Sequence, residues 1–170
     1  MNPVLERWNG RTENEAAEEI LPCGGSRRWA RALADLRPFA DAASLLEQSD
    51  GIWNRVDLLD WDEAFATHPR IGDKKAPASA TTKSAAWSSQ EQSGVAGAAD
   101  DIQERLRQRN EEYERRFGRT YIVCATGKSA EEMLAILEQR LQNDDAAERR
   151  EAAEQQRQIS RLRLRKWLEL

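Results

Sequence analysis

Asp100-Asp101-Ile102-Gln103-Glu104-Arg105-Leu106-Arg107-Gln108-Arg109-Asn110-Glu111-Glu112-Tyr113-Glu114-Arg115-Arg116-Phe117-Gly118 is the stretch from which the fold follows. Ile102, Leu106, Tyr113 and Phe117 recur at steps of four and seven, which places them on one stripe of a helix, with Asn110 on the same face. Nearly every other position is charged or amidic, as a water-facing surface requires. Gly118 ends the helix, because glycine adopts the left-handed conformation of a helix stop at little cost.

Toward the C-terminus, Tyr121-Ile122-Val123-Cys124 is a short apolar, β-favouring run. A lone strand has no partner here, so the expectation is extended backbone packed in the core, with unpaired amides available to a ligand. Ser129 and Glu132 have capping-box spacing and open a helix carrying Leu134, Leu137 and Leu141, which Asn143 closes. Asp144 begins a long final helix, rich in Ala, Glu, Gln and Arg, with Ile159, Leu162 and Trp167.

Toward the N-terminus, a helix is expected around Trp87 to Ala96. It follows a loop over residues 68–86, which holds His68-Pro69-Arg70-Ile71-Gly72-Asp73, then Lys74-Lys75 and a run of Ala, Ser and Thr. Its length suits a lid closing over substrate from 73 to 86. Thr12 and Glu15 form another capping box, opening a helix that ends near Leu21-Pro22. Cys23-Gly24-Gly25 breaks the chain. Ser26 caps a helix with Trp29, Leu33 and Leu36, ended by Arg37-Pro38-Phe39 because the residue before proline avoids helical angles. Asp41 to Asp57 reads as a helix with Leu45, Leu46 and Trp53, and Asp60 to Ala66 as a short amphipathic turn. With no repeat and no linker, the expectation is an all-α, single-domain helical bundle over 1–170, with a short extended segment near 120–125.

Composition narrows the function. The 170 residues include 26 Lys and Arg against 30 Asp and Glu, a net charge of −4. Such a chain is poorly suited to phosphate-backbone binding, so no nucleic-acid partner is expected. No apolar run approaches the roughly 18 residues of a membrane span, and the N-terminus lacks signal-peptide order, so a cytoplasmic protein is expected. The two cysteines, Cys23 and Cys124, form no CxxC pair, and His68 is the single histidine. A zinc, iron–sulfur or histidine-rich metal site is therefore not expected.

Three groups of residues carry chemistry. His68 precedes a proline in a loop at a helix end, and imidazole is the side chain that exchanges a proton near neutrality. A satisfied helix-end histidine would look the same. Ser88, Glu91 and Gln92 lie at i, i+3 and i+4, so a hydroxyl, a carboxylate and an amide share one helix face suited to a planar polar heterocycle. A solvated face is the plainer reading. Arg163 follows Ile159 by four and shares its apolar face, whereas Arg161 lies off it. An inward guanidinium seeks a carboxylate. Asn110, inward on its stripe, reads as a structural hydrogen-bonder. Gly24-Gly25-Ser26 could bind an anion, although a plain turn explains it.

Together the motifs resemble the OHCU (2-oxo-4-hydroxy-4-carboxy-5-ureidoimidazoline) decarboxylase family. They run in order: His68-Pro69-Arg70-Ile71-Gly72; Trp87-Ser88-x-x-Glu91-Gln92-x-Gly94; Asn110-x-x-Tyr113-x-x-Arg116-Phe117-Gly118; Ala125-x-Gly127-x-Ser129; Arg140-Leu141-x-Asn143. Cys23-Gly24-x-Ser26-x-x-Trp29-Ala30 and Arg37-Pro38-Phe39 agree upstream. The resemblance implies an all-helical enzyme, usually a homodimer, that needs no metal or organic cofactor. It implies a small-molecule substrate, decarboxylated to (S)-allantoin in urate breakdown. On this resemblance the catalytic residues fall on His68 and Glu91. Substrate contacts fall on Pro69, Ser88, Gln92, the Tyr121, Ile122, Val123, Cys124 and Ala125 segment, and Arg163, with Arg161 as the alternative arginine. Arg119 stands where an aromatic often follows Gly118, which bears on local packing. A homologue with shifted substrate, or a helical adaptor using the charged C-terminal helix as a coiled coil, are the competing classes.

Overall fold

The computed structural model describes residues 2–73 and 75–170, and every statement about it concerns those residues. Nine helices are found among them and no strand: α1 (Pro3–Asn9), α2 (Glu13–Gly24), α3 (Arg27–Asp35), α4 (Ala42–Trp53), α5 (Leu58–Phe65), α6 (Thr82–Glu91), α7 (Asp100–Phe117), α8 (Ala130–Arg140) and α9 (Asp145–Trp167). The all-α expectation therefore holds. Contacts divide the chain into two units, Met1–Ala64 with Arg157–Leu170, and Phe65–Gln156.

Side-chain caps fix most starts. Both expected capping boxes form, Thr12 with Glu15 and Ser129 with Glu132. Ser26, Asp41 and Thr81 each accept a hydrogen bond from the amide three residues on. Asn2 accepts from the amides of Val4 and Leu5, with Pro3 in the first turn, and so starts a helix that lies before the expected ones.

Several boundaries differ from expectation. Helix α2 runs through Pro22 and stops at Gly25 (φ 77°), whose amide reaches the Leu21 carbonyl, because a proline in the last turn removes only one hydrogen bond. Leu36 caps α3 and is exposed rather than packed. Helix α4 ends at Trp53, and the turn after it is the full helix α5. Helix α6 begins at Thr82, earlier than expected, since a Thr81 cap without a glutamate partner carries little sequence signal. Residues 82–86 of the expected lid are thus helical, and Lys74 lies outside the described residues.

The unit of Met1–Ala64 and Arg157–Leu170 is built on tryptophan. The indole of Trp8 stacks on Phe39 at 6.1 Å and meets Trp167 edge-on at 5.6 Å. Its indole N–H donates to the Ala16 carbonyl at 3.0 Å, so the large apolar ring is buried without an unpaired donor. Trp29 packs against Gly24 so closely that a Cβ there would come within 2.4 Å of its ring. The Gly24-Gly25-Ser26 run is thus a helix stop and the next helix's cap, which answers the plain turn rather than an anion site.

The unit of Phe65–Gln156 is centred on the stripe that opened the sequence reading. Leu106, Tyr113 and Phe117 of α7 pack with Met133, Leu134, Leu137 and Leu141 at α8, and with Tyr121 and Val123 between them. Residues 121–125 are buried and belong to no helix or strand, as expected of a core-packed run. Arg119 lies over the Phe117 ring at 5.4 Å and pairs with Asp145 at 2.8 Å, a cation–π contact in place of an aromatic one.

Helix α9 buries much of its polar half. Glu148, Ala152, Ala153 and Gln156 are each at most 4% exposed. A free coiled-coil seam is incompatible with this burial, which removes the adaptor reading.

Candidate active site

His68 sits one turn past the end of α5, with its amide bonded to the Phe65 carbonyl at 3.2 Å. The side chain is nearly buried, at 9% exposure. Its Nε2 donates to Gln156 Oε1 of α9 at 2.7 Å. Beside it in sequence, Gln155 Oε1 accepts the Cys124 amide at 2.8 Å. Consecutive glutamines of one helix therefore hold the histidine and the extended segment. Neither stood out in a run of Ala, Glu, Gln and Arg, because only the packing of α9 distinguishes its buried face from its exposed one.

Helix α6 closes the arrangement. Ser88 is buried, while Glu91 and Gln92 at its C-terminal end are half-buried. Gln92 Oε1 accepts the Gly72 amide at 3.1 Å, joining this end of α6 to the loop that begins at His68. The amide N–H groups of Gln92 then point to its remaining hydrogen-bonding capacity. Two residues on, a Cβ at Gly94 would stand 2.6 Å from the Lys128 carbonyl oxygen. Only glycine lets the turn after α6 approach the backbone of the 125–129 turn this closely. The contacts thus run in a circuit: the 68–72 loop, the end of α6, the 124–128 backbone, α9, and back to His68. Pro69 lies on the loop, half-buried.

One expectation is corrected. The Cys124 amide is not open to a ligand, because the Gln155 side chain occupies it. A buried amide without strand partners must be satisfied, and here a side chain does so. The segment's carbonyls are held as well, Ile122 by Arg140 Nη1 at 2.6 Å and Cys124 by Lys128 Nζ at 2.7 Å.

Arg140 belongs to a buried ionic cluster behind this segment. Its Nε donates to Glu148 Oε1 at 2.8 Å, and Nη2 reaches the same oxygen. The Tyr113 hydroxyl donates to Oε1 at 2.6 Å, and Asn143 Nδ2 to Oε2 at 2.9 Å. The guanidinium also lies 4.9 Å from the Tyr121 ring centre. Burial, then the bond to Glu148, raises the Tyr113 hydroxyl pKa well above its ordinary value. Burial opposes the Arg140 charge, but the Glu148 carboxylate outweighs it and the guanidinium pKa is raised.

Other singled-out residues have plain roles. Asn110 Nδ2 donates to the carbonyls of Leu106 and Ile71, a structural bond as expected. A cleft of about 330 Å³ is lined by Arg70 to Asp73, Arg107 and Asn110 among others, and none of the candidate catalytic residues borders it. In the other unit, Arg163 is 2% exposed and its Nη1 donates to the Pro22 carbonyl at 3.3 Å. Arg161 is far more exposed and pairs with Asp50 at 2.7 Å. Among the described residues no group of His, Cys, Asp and Glu is placed to hold a metal ion.

The site thus holds a buried histidine bonded to a glutamine amide, on a helical fold. The chain belongs to the OHCU decarboxylase family, whose model matches residues 9–165. It is 30% identical over 149 residues to the uric acid degradation bifunctional protein TTL of Arabidopsis thaliana, an alignment covering 88% of this chain and 46% of that protein. It is 28% identical over 135 residues to the 2-oxo-4-hydroxy-4-carboxy-5-ureidoimidazoline decarboxylase of Amia calva, covering 79% and 77% respectively. The chain thus spans about half the length of the Arabidopsis relative. Its fold is similar to a crystal structure of OHCU decarboxylase determined in the presence of (S)-allantoin, with a TM-score of 0.77, 30% identity, and coverage of 90% of this chain and 99% of that one. A crystal structure of (S)-allantoin synthase, at 19% identity and TM-score 0.72, shares the fold.

Proposed function

We propose that this chain decarboxylates 2-oxo-4-hydroxy-4-carboxy-5-ureidoimidazoline to (S)-allantoin in urate degradation, without a cofactor. The observation that carries the reading is the circuit joining His68, the end of α6 and the extended segment through Gln156, Gln92 and Gln155. The similarity to an OHCU decarboxylase studied with (S)-allantoin supports it.

Loss of carbon dioxide leaves an electron pair on a ring carbon, and the adjacent ring C=N can accept it, so no pyridoxal or thiamine sink is needed. The protein must orient the scissile bond and deliver a proton to one face. His68 serves as general acid/base, either for the substrate hydroxyl or for the carbon that is reprotonated. Glu91 accepts ring N–H groups, and Gln92, its carbonyl engaged by Gly72, donates to ring oxygens. Ser88 and Pro69 complete the ring contacts. The Tyr121, Ile122, Val123 and Ala125 backbone borders the ring, and Cys124 contributes packing. Arg163 neutralises a ligand oxygen.

Freshly generated substrate should decay faster with the protein than in buffer, followed by ultraviolet absorbance, and circular dichroism should show the product as the (S) enantiomer alone. Decay at the buffer rate, or a racemic product, removes the reading.

The same proposal treats residues 1–170 as one decarboxylase domain, since the family match crosses both units. It places the protein in the cytoplasm, where Cys23 and Cys124 would stay as the free thiols observed; cell fractionation reads the compartment. No helix among the described residues is long and apolar enough to cross a membrane. It also makes the protein a homodimer. Leu58 and Leu59, 54% and 78% exposed at the start of α5, are apolar surface that a second copy would cover. Light scattering on the purified chain should return twice the chain mass; a monomer mass at micromolar concentration ends this part of the proposal.

A further inference from the structure

We infer that Gln156 is a positioning residue that sets the tautomer and tilt of His68, so that proton transfer at this site runs through Nδ1. The inference rests on the proposed decarboxylation and adds to it the nitrogen that does the work. His68 and Gln156 are 9% and 1% exposed, and the Nε2 to Oε1 distance is 2.7 Å. An amide carbonyl only accepts, so Nε2 carries the hydrogen. The lone pair of the neutral ring is therefore on Nδ1.

The rest of the local structure fits this assignment. The neighbouring Gln155 has its amide defined from both ends. Its Oε1 accepts the Cys124 amide at 2.8 Å, and its Nε2 donates to Glu151 Oε1 at 2.9 Å. Successive side chains of a helix diverge by about 100°, so one turn of α9 addresses the His68 loop and the extended segment together. When Nδ1 takes a proton, the imidazolium keeps its Nε2–H bond to Gln156, now strengthened by charge. A neutral acceptor does this without competing for the proton as a carboxylate would. The ring is thus oriented, and its proton can still leave.

His68 is the single histidine of the chain, so its ring signals need no assignment. Nitrogen-15 spectra of imidazole-labelled protein, taken above the pH at which the ring titrates, read the tautomer with no substrate present. The expected result is the Nε2–H form. An Nδ1–H form in the wild type overturns the inference. Gln156→Met should move the ring away from a single Nε2–H tautomer and lower kcat by about ten- to a hundred-fold with KM little changed. Gln156→Glu should again hold the hydrogen on Nε2, but its carboxylate favours the imidazolium, so the pH dependence of kcat should move to higher pH. A folded Gln156→Met variant with the wild-type tautomer and kcat also overturns it. A wild type that leaves the ureidoimidazoline untouched while showing the Nε2–H form instead overturns the proposed reaction, and the ring assignment stands on its spectrum.

Discussion

Replacing His68 by Asn is expected to reduce decarboxylation by about a hundred- to ten-thousand-fold, the usual worth of a general acid/base. Asparagine fills part of the imidazole volume and can still donate toward Gln156 Oε1, so the buried acceptor is not abandoned. What it lacks is a group that gains and loses a proton near neutrality. Ser88, Glu91 and Gln92 sit at the C-terminal end of α6 and keep their own side chains in this variant, so KM should change far less than kcat. His68 lies in a loop beyond α5, so the helical circular-dichroism signal should match wild type. Turnover within ten-fold of wild type, measured on freshly generated substrate, would remove the histidine from the mechanism.

The second large effect is on stability. Arg140→Met leaves Glu148, fully buried, without its counter-ion. Tyr113 and Asn143 still donate to that carboxylate, but two neutral donors do not replace a guanidinium. Breaking a buried pair from one side costs about 3–5 kcal/mol. For a chain of this length that corresponds to a fall in Tm of roughly 10 °C or more. The Ile122 carbonyl loses its donor at the same time, so the 121–125 backbone should loosen and activity should fall beyond the stability effect. The double variant Arg140→Met with Glu148→Met should recover a substantial part of the loss, because the stranded charge is gone. Thermal unfolding of the two single variants and the double variant tests this. A single variant that unfolds within 2 °C of wild type would show that Glu148 does not depend on Arg140.

This cluster also explains motif residues that the resemblance located without a role. Tyr113, Arg140 and Asn143 meet on one carboxylate and stand behind the extended segment. Gly94 has a similar explanation, since its missing Cβ is what lets the turn after α6 lie against the Lys128 backbone.

Periodicity made α7 legible because its apolar residues are few and evenly spaced in a charged helix. The Thr12 and Ser129 starts were legible because a capping box is a local contact between residues three apart. The Thr81 start was missed because its partner, Ser84, is a common residue with no pattern of its own. The Gln155 contact to the Cys124 amide is not legible in the sequence, because strand-like composition says nothing about which side chain reaches over from another helix.

The all-α class, most of the helices and the family follow from the chain of letters, since each rests on spacing along one backbone. The pairing of His68 with Gln156, of Cys124 with Gln155 and of Arg140 with Glu148 does not. In the run from Glu148 to Gln158, no glutamate is marked out from the other glutamates and no glutamine from the other glutamines. The packing of α9 alone selects which of them lose their water, and a polar group that has lost water must find a partner inside the fold.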